Sequence, residues 1–455
     1  MARVLLVTPS NAIQTERQNW SSPHLGIWRL GGWLERCGHQ VDVWDTILDA
    51  KAPGGDYDWV GMSLTHDTLP DDFALLRSLK RQNPEAEFVV GGPEASTNFQ
   101  QILQKLSFLN YVVIGEGEGP MQSLLELGPE YRGLNRGGIT RLHHKVDLER
   151  FTSYNYYMPF EKMRHREHWA ITKKLRPSAA PEEVQCVRLN TSTYCDKGCR
   201  FCSITPIHRM AAGEKCEPIT MTGACTKVMV SKLHSVLPEA KTVYMNDDDF
   251  CLSREKVETF FDDPIPKIYH IQARVDTLDK ALLKHMAKGG CRRISFGVEA
   301  VVGHVLKDLG KGTNPEQTDE VISWCLKEDV EPIILLLLFT PTLSMEDLAY
   351  TWRKLKFWEH NGICLSIMSY IRAYHGSWYL ESGMHDISWK KNLGLKQPHA
   401  VLPDDPDVRE VFYEFHKRLD AAESKMKDHW KGKMSSVMIQ ILGELLKEKG
   451  VLGKS

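Results

Sequence analysis

The sequence predicts an α/β protein built from a Rossmann-like open parallel sheet, a second (β/α) unit of barrel type and a helical C-terminal tail. Three observations predict it. Apolar runs of strand length alternate with amphipathic stretches of helix length from the N-terminus. The alternation lapses over residues 128–180 and restarts at Gln185. Beyond about residue 380 the helical period stands alone, and 455 residues exceed what one ordinary core organises.

Within 1–127, Arg3 to Thr8 reads as a buried strand, and Gln40 to Asp45, Asp58 to Ser63, Glu87 to Gly91 and Asn110 to Ile114 read as the strands that follow. Leu25 to Cys37 is an amphipathic helix that stops at Gly38. Ligands of such sheets bind beyond the carboxyl ends of the strands, where loops 8–10, 63–67, 91–96 and 115–119 are expected to converge. No Gly-x-Gly-x-x-Gly turn opens the first helix, which argues against a dinucleotide.

Residues 128–180 read as a connector, with Tyr154, Tyr156 and Tyr157 as packing residues. The second alternation, over 181–380, places strands at Gln185 to Leu189, Thr242 to Asn246, Ile268 to Ala273, Arg293 to Gly297, Pro332 to Phe339 and Cys364 to Met368. The tail, 381–455, carries amphipathic stretches at Asp407 to Ala422 and Ser435 to Lys449, expected to cap the barrel mouth or build part of a substrate site.

The loop after the first strand of the second unit reads Thr193-Tyr-Cys-Asp-Lys-Gly-Cys-Arg-Phe-Cys-Ser203. Cys195, Cys199 and Cys202, spaced C-x3-C-x2-C, can hold three irons of a cubane and leave the fourth without a protein ligand. An electron-transfer ferredoxin would supply a fourth close cysteine, and a structural zinc site a second hook. Cys37, Cys186, Cys225, Cys251, Cys291, Cys325 and Cys364 lie in apolar patterns and read as small hydrophobes, whereas Cys216 falls in a polar loop after the cluster.

This loop resembles the signature of radical S-adenosylmethionine (SAM) enzymes, in which the open iron chelates SAM, and Phe201 matches the aromatic that walls the adenine pocket. The resemblance implies a 4Fe-4S cluster on Cys195, Cys199 and Cys202 and the family's partial (β/α)6 barrel. It places Asn246, Asp247, Asp248 and Asp249 where the family binds the methionyl ammonium, Arg274 at a contact to SAM's carboxylate or ribose, and Glu299 at a further polar contact. Phe339-Thr-Pro-Thr-Leu343 departs from the glycine-rich turn of many relatives, so no adenine contact is assigned there.

The first unit resembles the cobalamin-binding domains fused to such enzymes, through Pro23-His-Leu-Gly26, Gly61-Met-Ser-Leu-Thr65, Gly91-Gly-Pro-Glu-Ala95 and Gly115-Glu-Gly-Glu-Gly119. The resemblance implies cobalamin contacts at Ser63, Leu64, Thr65, Gly91, Gly92, Pro93, Glu94, Glu116 and Gly117. The Asp-x-His-x-x-Gly loop that supplies a cobalt ligand elsewhere is absent, which leaves water or the Ser63 to His66 loop for the lower face.

Cobalamin-dependent radical SAM methyltransferases place a methyl on a carbon that displacement cannot methylate. By resemblance, an adenosyl radical abstracts hydrogen and methylcobalamin donates the methyl, with electrons from an external one-electron reductant. The expected substrate is an unactivated sp3 carbon of a peptide or protein side chain, or a small molecule, within a cavity walled by Tyr370, Tyr374, Trp378 and Tyr379 or packed by them. The alternatives are a non-methyl rearrangement such as ring contraction, a first domain without corrinoid, and a non-catalytic iron-sulfur sensor. A formal charge of −2 with no basic tract gives no support for nucleic acid. The run Ile333 to Phe339 falls far short of the ~20 residues of a membrane helix. The N-terminal apolar stretch is too short for a signal peptide, so a cytoplasmic location with reduced thiols is expected.

Overall fold

Apolar runs with no polar interruption need cover on both faces, and the first sheet gives it to them. The structure is a computed structural model that describes residues 1–10, 20–126, 138–141, 158–212, 218–425 and 434–452; Tyr154, Tyr156, Tyr157 and Cys216 lie outside these. The first sheet contains β1 (Arg3–Val7), β2 (Gln40–Trp44), β3 (Trp59–Ser63), β4 (Glu87–Gly91), β5 (Tyr111–Ile114) and β6 (Gly138–Arg141), in the order β2-β1-β3-β4-β5-β6. Its neighbouring strands pair in parallel, as Val4 opposite both Val41 and Trp59 illustrates.

Successive strand residues point to opposite faces. Leu5, Val7, Val60, Met62, Phe88, Val90 and Val112 meet Phe73, Leu76 and Leu79 of α2 (Leu69–Gln82) and Ile102 of α3 (Gly92–Lys105). On the other face Val4, Leu6, Val89 and Val113 meet Ile27 and Leu34 of α1 (Leu25–Arg36) and Met121 and Leu124 of α4 (Glu118–Glu126). This doubly wound arrangement reverses its strand order at β1 and β3, so the crevice for a ligand opens where those strands end.

The expected connector holds more structure than its sequence suggests. It contributes β6 to the first sheet and α5 (His165–Leu175). A four-residue edge strand is too short for its period to register. The buried stripe of α5 is His165, His168, Trp169 and Thr172, so helical spacing is present but is written mostly in polar residues. Those polar groups are satisfied inside the first unit. His168 is fully buried between the Ser21 hydroxyl at 2.7 Å and the Asp45 carboxylate at 3.0 Å, and the Ser21 amide donates to the Thr172 hydroxyl at 2.8 Å.

The second sheet follows chain order through β7 (Cys186–Leu189), β10 (Thr242–Met245), β11 (Ile268–Ala273), β12 (Cys291–Glu299), β13 (Glu331–Phe339) and β14 (Cys364–Tyr370). These six strands form the expected partial barrel. A short ladder of β8 (Ser192–Thr193) and β9 (Ile219–Thr220) stands apart from it. The intervening helices are α6 (Ile204–Ala212), α7 (Gly223–Val236), α8 (Arg254–Phe261), α9 (Lys280–Lys288), α10 (Gly303–Asp308), α11 (Pro315–Lys327) and α12 (Met345–His360).

After α13 (Trp378–Ser382) the mostly helical tail folds a hairpin, β15 (Ile387–Asn392) and β16 (Leu395–Val401), before α14 (Pro406–Lys425) and α15 (Met434–Glu448). Its two-residue turn has φ of 53° at Leu393 and 75° at Gly394, the positive pair that a tight hairpin requires. Phe412 and Phe415 of α14 pack edge-on to Phe339, and the Trp352 indole donates to the Ile439 carbonyl at 2.9 Å. The tail helices therefore pack on β13 and α12.

Two compact units result: Met1–Asp196 with Ile204–Val243 and Asn392–Leu395, and Lys197–Ser203 with Tyr244–Lys391 and Lys396–Ser455. Among the described residues no helix is long and apolar enough to cross a membrane. Replacing His168 with Ala leaves the Ser21 hydroxyl and Asp45 buried without their shared partner. This is expected to destabilise the first unit by about 2–4 kcal/mol, seen as an earlier thermal transition and faster amide exchange in α5 and β2.

Candidate functional site

The loops at the carboxyl ends of β3 and β4 interlock through their backbones. The Leu64 amide donates to the Gly91 carbonyl at 2.8 Å, and the Glu94 amide donates to the Leu64 carbonyl at 3.2 Å. Gly92 has φ of 89°, and a Cβ there would lie 2.5 Å from the Ser63 Oγ and 3.0 Å from the Leu64 carbonyl oxygen. Only glycine satisfies both constraints. Pro93 is exposed in the first turn of α3. The buried Glu94 accepts from the Asn98 amide at 3.0 Å and faces His66 Nδ1 at 3.4 Å.

Ser63, Leu64, Thr65, Gly91, Gly92, Pro93 and Glu94 thus form one patch. The Gly115 amide joins it by donating to Ser96 Oγ at 3.0 Å. Next along the chain, Glu116 and the buried Glu118 share Arg29 of α1, and Gly117 lies against Leu30. Under the patch the Thr65 and Thr68 hydroxyls are 2.6 Å apart and Thr68 donates to Asp72 at 2.7 Å. The Ser10 amide donates to the other Asp72 oxygen at 2.6 Å, which ties the end of β1 to the loop after β3. Burial pushes the Asp72 carboxyl up to about 7 despite these donors.

Within the first unit, both flanks of the cysteine loop rest on the end of β5. Ile114 packs with Tyr194, Ile207 and Ala211. Tyr194, immediately before Cys195, has φ of 58° and stacks on His208 of α6 with centroids 4.3 Å apart and planes 8° from parallel. A left-handed tyrosine is strained, and the stack and core around it hold it there.

In the second unit the loop is fixed through its backbone. The Cys202 amide donates to the Cys199 carbonyl at 3.1 Å, and the Arg200 amide donates to the Leu309 carbonyl at 3.0 Å. Arg200 pairs with Asp308 at 3.2 Å and lies over the Trp378 ring at 4.1 Å. The buried Tyr379 hydroxyl donates to Asp308 at 3.0 Å, so Trp378 and Tyr379 buttress the loop. Cys195, Cys199 and Cys202 are half-buried, and the tip between the first two is exposed. Among the described residues no three His, Cys, Asp or Glu side chains converge on one metal ion. A cubane asks for something else, because each thiolate binds a different iron.

Strand ends of the second unit supply the remaining candidates. Arg274 is buried; its Nε and Nη2 donate to Asp276 at 2.8 and 2.9 Å, Nη2 also donates to the Lys311 carbonyl, and Nη1 points to Cys199 Sγ at 3.6 Å. Glu299 has φ of 68° at a register shift of β12 and accepts from Lys311 Nζ at 3.1 Å. A Cβ at Gly297 would lie 2.8 Å from both partners of that ion pair, so glycine keeps room for it. Lys311 also lies 5.9 Å from the centre of the Phe201 ring. The segment Asp308 to Gly312 is thus a hub that the sequence reading missed. Its one signal is Gly310 and Gly312, both at positive φ, on either side of a lysine.

The three aspartates after β10 separate by environment. Asp247 is buried against Lys256 Nζ at 2.9 Å, and that ammonium lies 4.3 Å over the Phe250 ring. The buried Asp249 caps the turn at the Cys251 amide at 3.0 Å and accepts from Thr277 at 3.3 Å. Burial raises its carboxyl to about 6. Asp248 keeps an exposed face, and close packing, with Asp247 and Asp249 on either side, pushes it up to about 6. Asn246, before them, is half-buried. Of the other cysteines, Cys251, Cys291 and Cys325 are buried and burial raises their thiols.

Residues 21–125 match the B12 binding domain family. Over 378 residues the chain is 22% identical to an uncharacterised methyltransferase of Pyrococcus horikoshii, covering 77% of this chain and 76% of that one. Two solved structures are similar in fold. The cobalamin-dependent SAM radical enzyme OxsB, with aqua-cobalamin bound, is 15% identical with a TM-score of 0.67, over 98% of this chain and 72% of that one. The radical SAM methyltransferase TsrM of Kitasatospora setae, with cobalamin and a 4Fe-4S cluster bound, is 13% identical with a TM-score of 0.68, over 98% and 89%. Residues 21–125 match a B12 binding domain, as the resemblance implies, and the chain shares the fold of these two enzymes.

Asp72 gives the site a measurable pH dependence. Its folded pKa lies above the unfolded value, so the folded chain holds the extra proton between about pH 4 and 7 and this contribution to stability falls as pH rises through that window. Asp72→Asn is expected to flatten the dependence and to be the more stable protein at pH 8, as read by denaturant unfolding across pH.

Proposed function

We propose that this chain, an enzyme of the cobalamin-dependent radical SAM class, methylates an unactivated sp3 carbon of an amino-acid-like substrate, most simply a peptide or protein side chain. The observation that carries the reading is the cysteine triplet on the loop after the first strand of a partial barrel, in a chain that also holds a B12 binding domain. The similarity to a protein named as a methyltransferase supports the reaction, and a TsrM structure with tryptophan substrate supports the substrate class.

The residues present fit three groups. Cys195, Cys199 and Cys202 are a soft, all-thiol donor set, half-buried on a braced loop. The backbone around Gly92 is a cradle that any Cβ would fill, suited to the close approach of a large flat macrocycle. Asp248 is an exposed carboxylate between two others and suits a cationic ligand. When bound, the cluster with SAM supplies a hydrogen-abstracting radical and the corrinoid supplies the methyl group.

The chain's own work is placement. Ser63 to Thr65 and Gly91 to Glu94 offer backbone and small polar groups to a corrinoid edge, with Glu116 and Gly117 held beside them through Gly115. His66 is oriented by Glu94 at 3.4 Å. Asp248 takes the methionyl ammonium, because the ammonium of Lys256 already neutralises Asp247 and Asp249 is buried in its cap. Glu299 and Lys311 present a charged pair beside Phe201, where SAM's polar groups are proposed to bind. A one-electron reductant supplies the electrons from outside.

Anaerobically reconstituted protein, reduced in the presence of SAM, is expected to release 5′-deoxyadenosine and to give a product heavier by one methylene. No release from protein with an intact cluster overturns the enzyme reading, and a product of unchanged mass overturns methylation. Asp248→Asn is expected to weaken SAM binding tenfold or more, from the loss of about 1.5–3 kcal/mol of charge-assisted hydrogen bonding. Wild-type affinity should fall as pH drops and Asp248, whose carboxyl is raised above the usual carboxylate range, takes up its proton. Asp247→Asn should instead lower stability, since it leaves Lys256 buried without its counter-charge. Gly92→Ala is expected to abolish corrinoid retention while leaving the iron content intact.

A further inference from the structure

We infer that Arg274 is a hydrogen-bond donor to the cluster through the Cys199 sulfur and sets the cluster's reduction potential in the absence of SAM. This rests on the reading of Cys195, Cys199 and Cys202 as cluster ligands. The resemblance gave this arginine to SAM's carboxylate or ribose, but the guanidinium is held inside the protein. Asp276 grips Nε and Nη2 at 2.8 and 2.9 Å, and the Lys311 carbonyl takes a second bond from Nη2. The planar fork is thereby fixed in rotation, and its Nη1 lies 3.6 Å from Cys199 Sγ, an ordinary distance for N–H to sulfur.

The acceptor is fixed as well. Cys199 accepts the Cys202 amide through its carbonyl, and Arg200 is tied to Leu309 and Asp308, two and three residues from the Lys311 carbonyl that holds Arg274. Donor and acceptor are anchored to the same short segment, so their separation does not depend on a ligand. Arg274 is 5% exposed, and in so dry a place a cation beside a thiolate acts with little screening from water. Asp276 and Asp249 also face this guanidinium and temper its charge, but the directed N–H to sulfur remains.

Reduction adds one electron, from an external one-electron donor, to the cluster and breaks no bond. The added negative charge spreads onto the ligand sulfurs. A donor aimed at one of those sulfurs favours the reduced form and moves the potential in the positive direction. Arg274 is a positioning and tuning residue in this account, acting through Cys199.

The test is the midpoint potential of the reconstituted full-length protein, without SAM or corrinoid, in a redox titration followed by electron paramagnetic resonance. Arg274→Gln is expected to shift the midpoint to a more negative value. Arg274→Lys, which keeps the charge but loses the planar fork, is expected to fall between it and wild type. A glutamine variant that binds the full complement of iron and titrates at the wild-type midpoint overturns the inference. Should the variants fail to assemble the cluster, wild-type protein labelled with nitrogen-15 in arginine decides. A resolved nitrogen coupling to the reduced cluster that survives Arg200→Lys supports the bond, and its absence refutes it. Failure of the wild-type chain to form any cluster would instead refute the functional reading on which this rests.

Discussion

The loop proposed to present three thiolates to a cluster is held still chiefly by contacts other than its sulfurs. The rest of the molecule follows from how that constraint is met. On one side Tyr194, left-handed and stacked on His208, is packed against Ile114 at the end of β5. On the other, the Arg200 amide and guanidinium are fixed to Leu309 and Asp308, and the Tyr379 hydroxyl reaches the same aspartate. Cys195 falls in the first compact unit, and Cys199 and Cys202 fall in the second. These anchors are backbone amides, rings, a tyrosine hydroxyl and a charged pair.

The same economy of polar groups recurs wherever a carboxylate is buried. Asp45, Asp72, Glu94, Glu118, Asp247 and Asp249 are each less than a tenth exposed, and each meets named donors. Such groups add little net stability and cost much when a partner is removed. Their use here is geometric, because they fix the loops at the carboxyl ends of strands where ligands of both kinds of sheet bind. Asp248 stands apart in keeping an exposed face, and that is why it alone of its triplet is proposed to meet a ligand.

Much of this was legible in the sequence, for reasons that differ by element. Strands such as β1, β3, β4 and β13 were readable because they carry long apolar, largely buried runs, whereas the four-residue edge strand β6 was not. The cysteine triplet was readable because ligand spacing on one loop is a local property. Helix α5 was hidden because its buried stripe is His165, His168 and Thr172 beside a single tryptophan. The tail hairpin was hidden because its turn places Leu393, an unusual choice, at positive φ. Asp247, Asp248 and Asp249 are alike in sequence; only Lys256, nine residues after Asp247, and the Cys251 amide distinguish them in space. Lys311 escaped notice because its partners, Glu299 and Arg274, come from two other strand ends.

The central claim is that one chain holds both a corrinoid and a SAM-opening cluster. It is tested most directly by reconstituting the chain anaerobically with iron, sulfide and hydroxocobalamin, removing unbound cofactor, and recording the absorption spectrum with iron and cobalt analyses. The account predicts corrinoid bands together with the cluster's charge-transfer absorption, at one cobalt and about four irons per chain. A chain that assembles the cluster and retains no cobalt would contradict it.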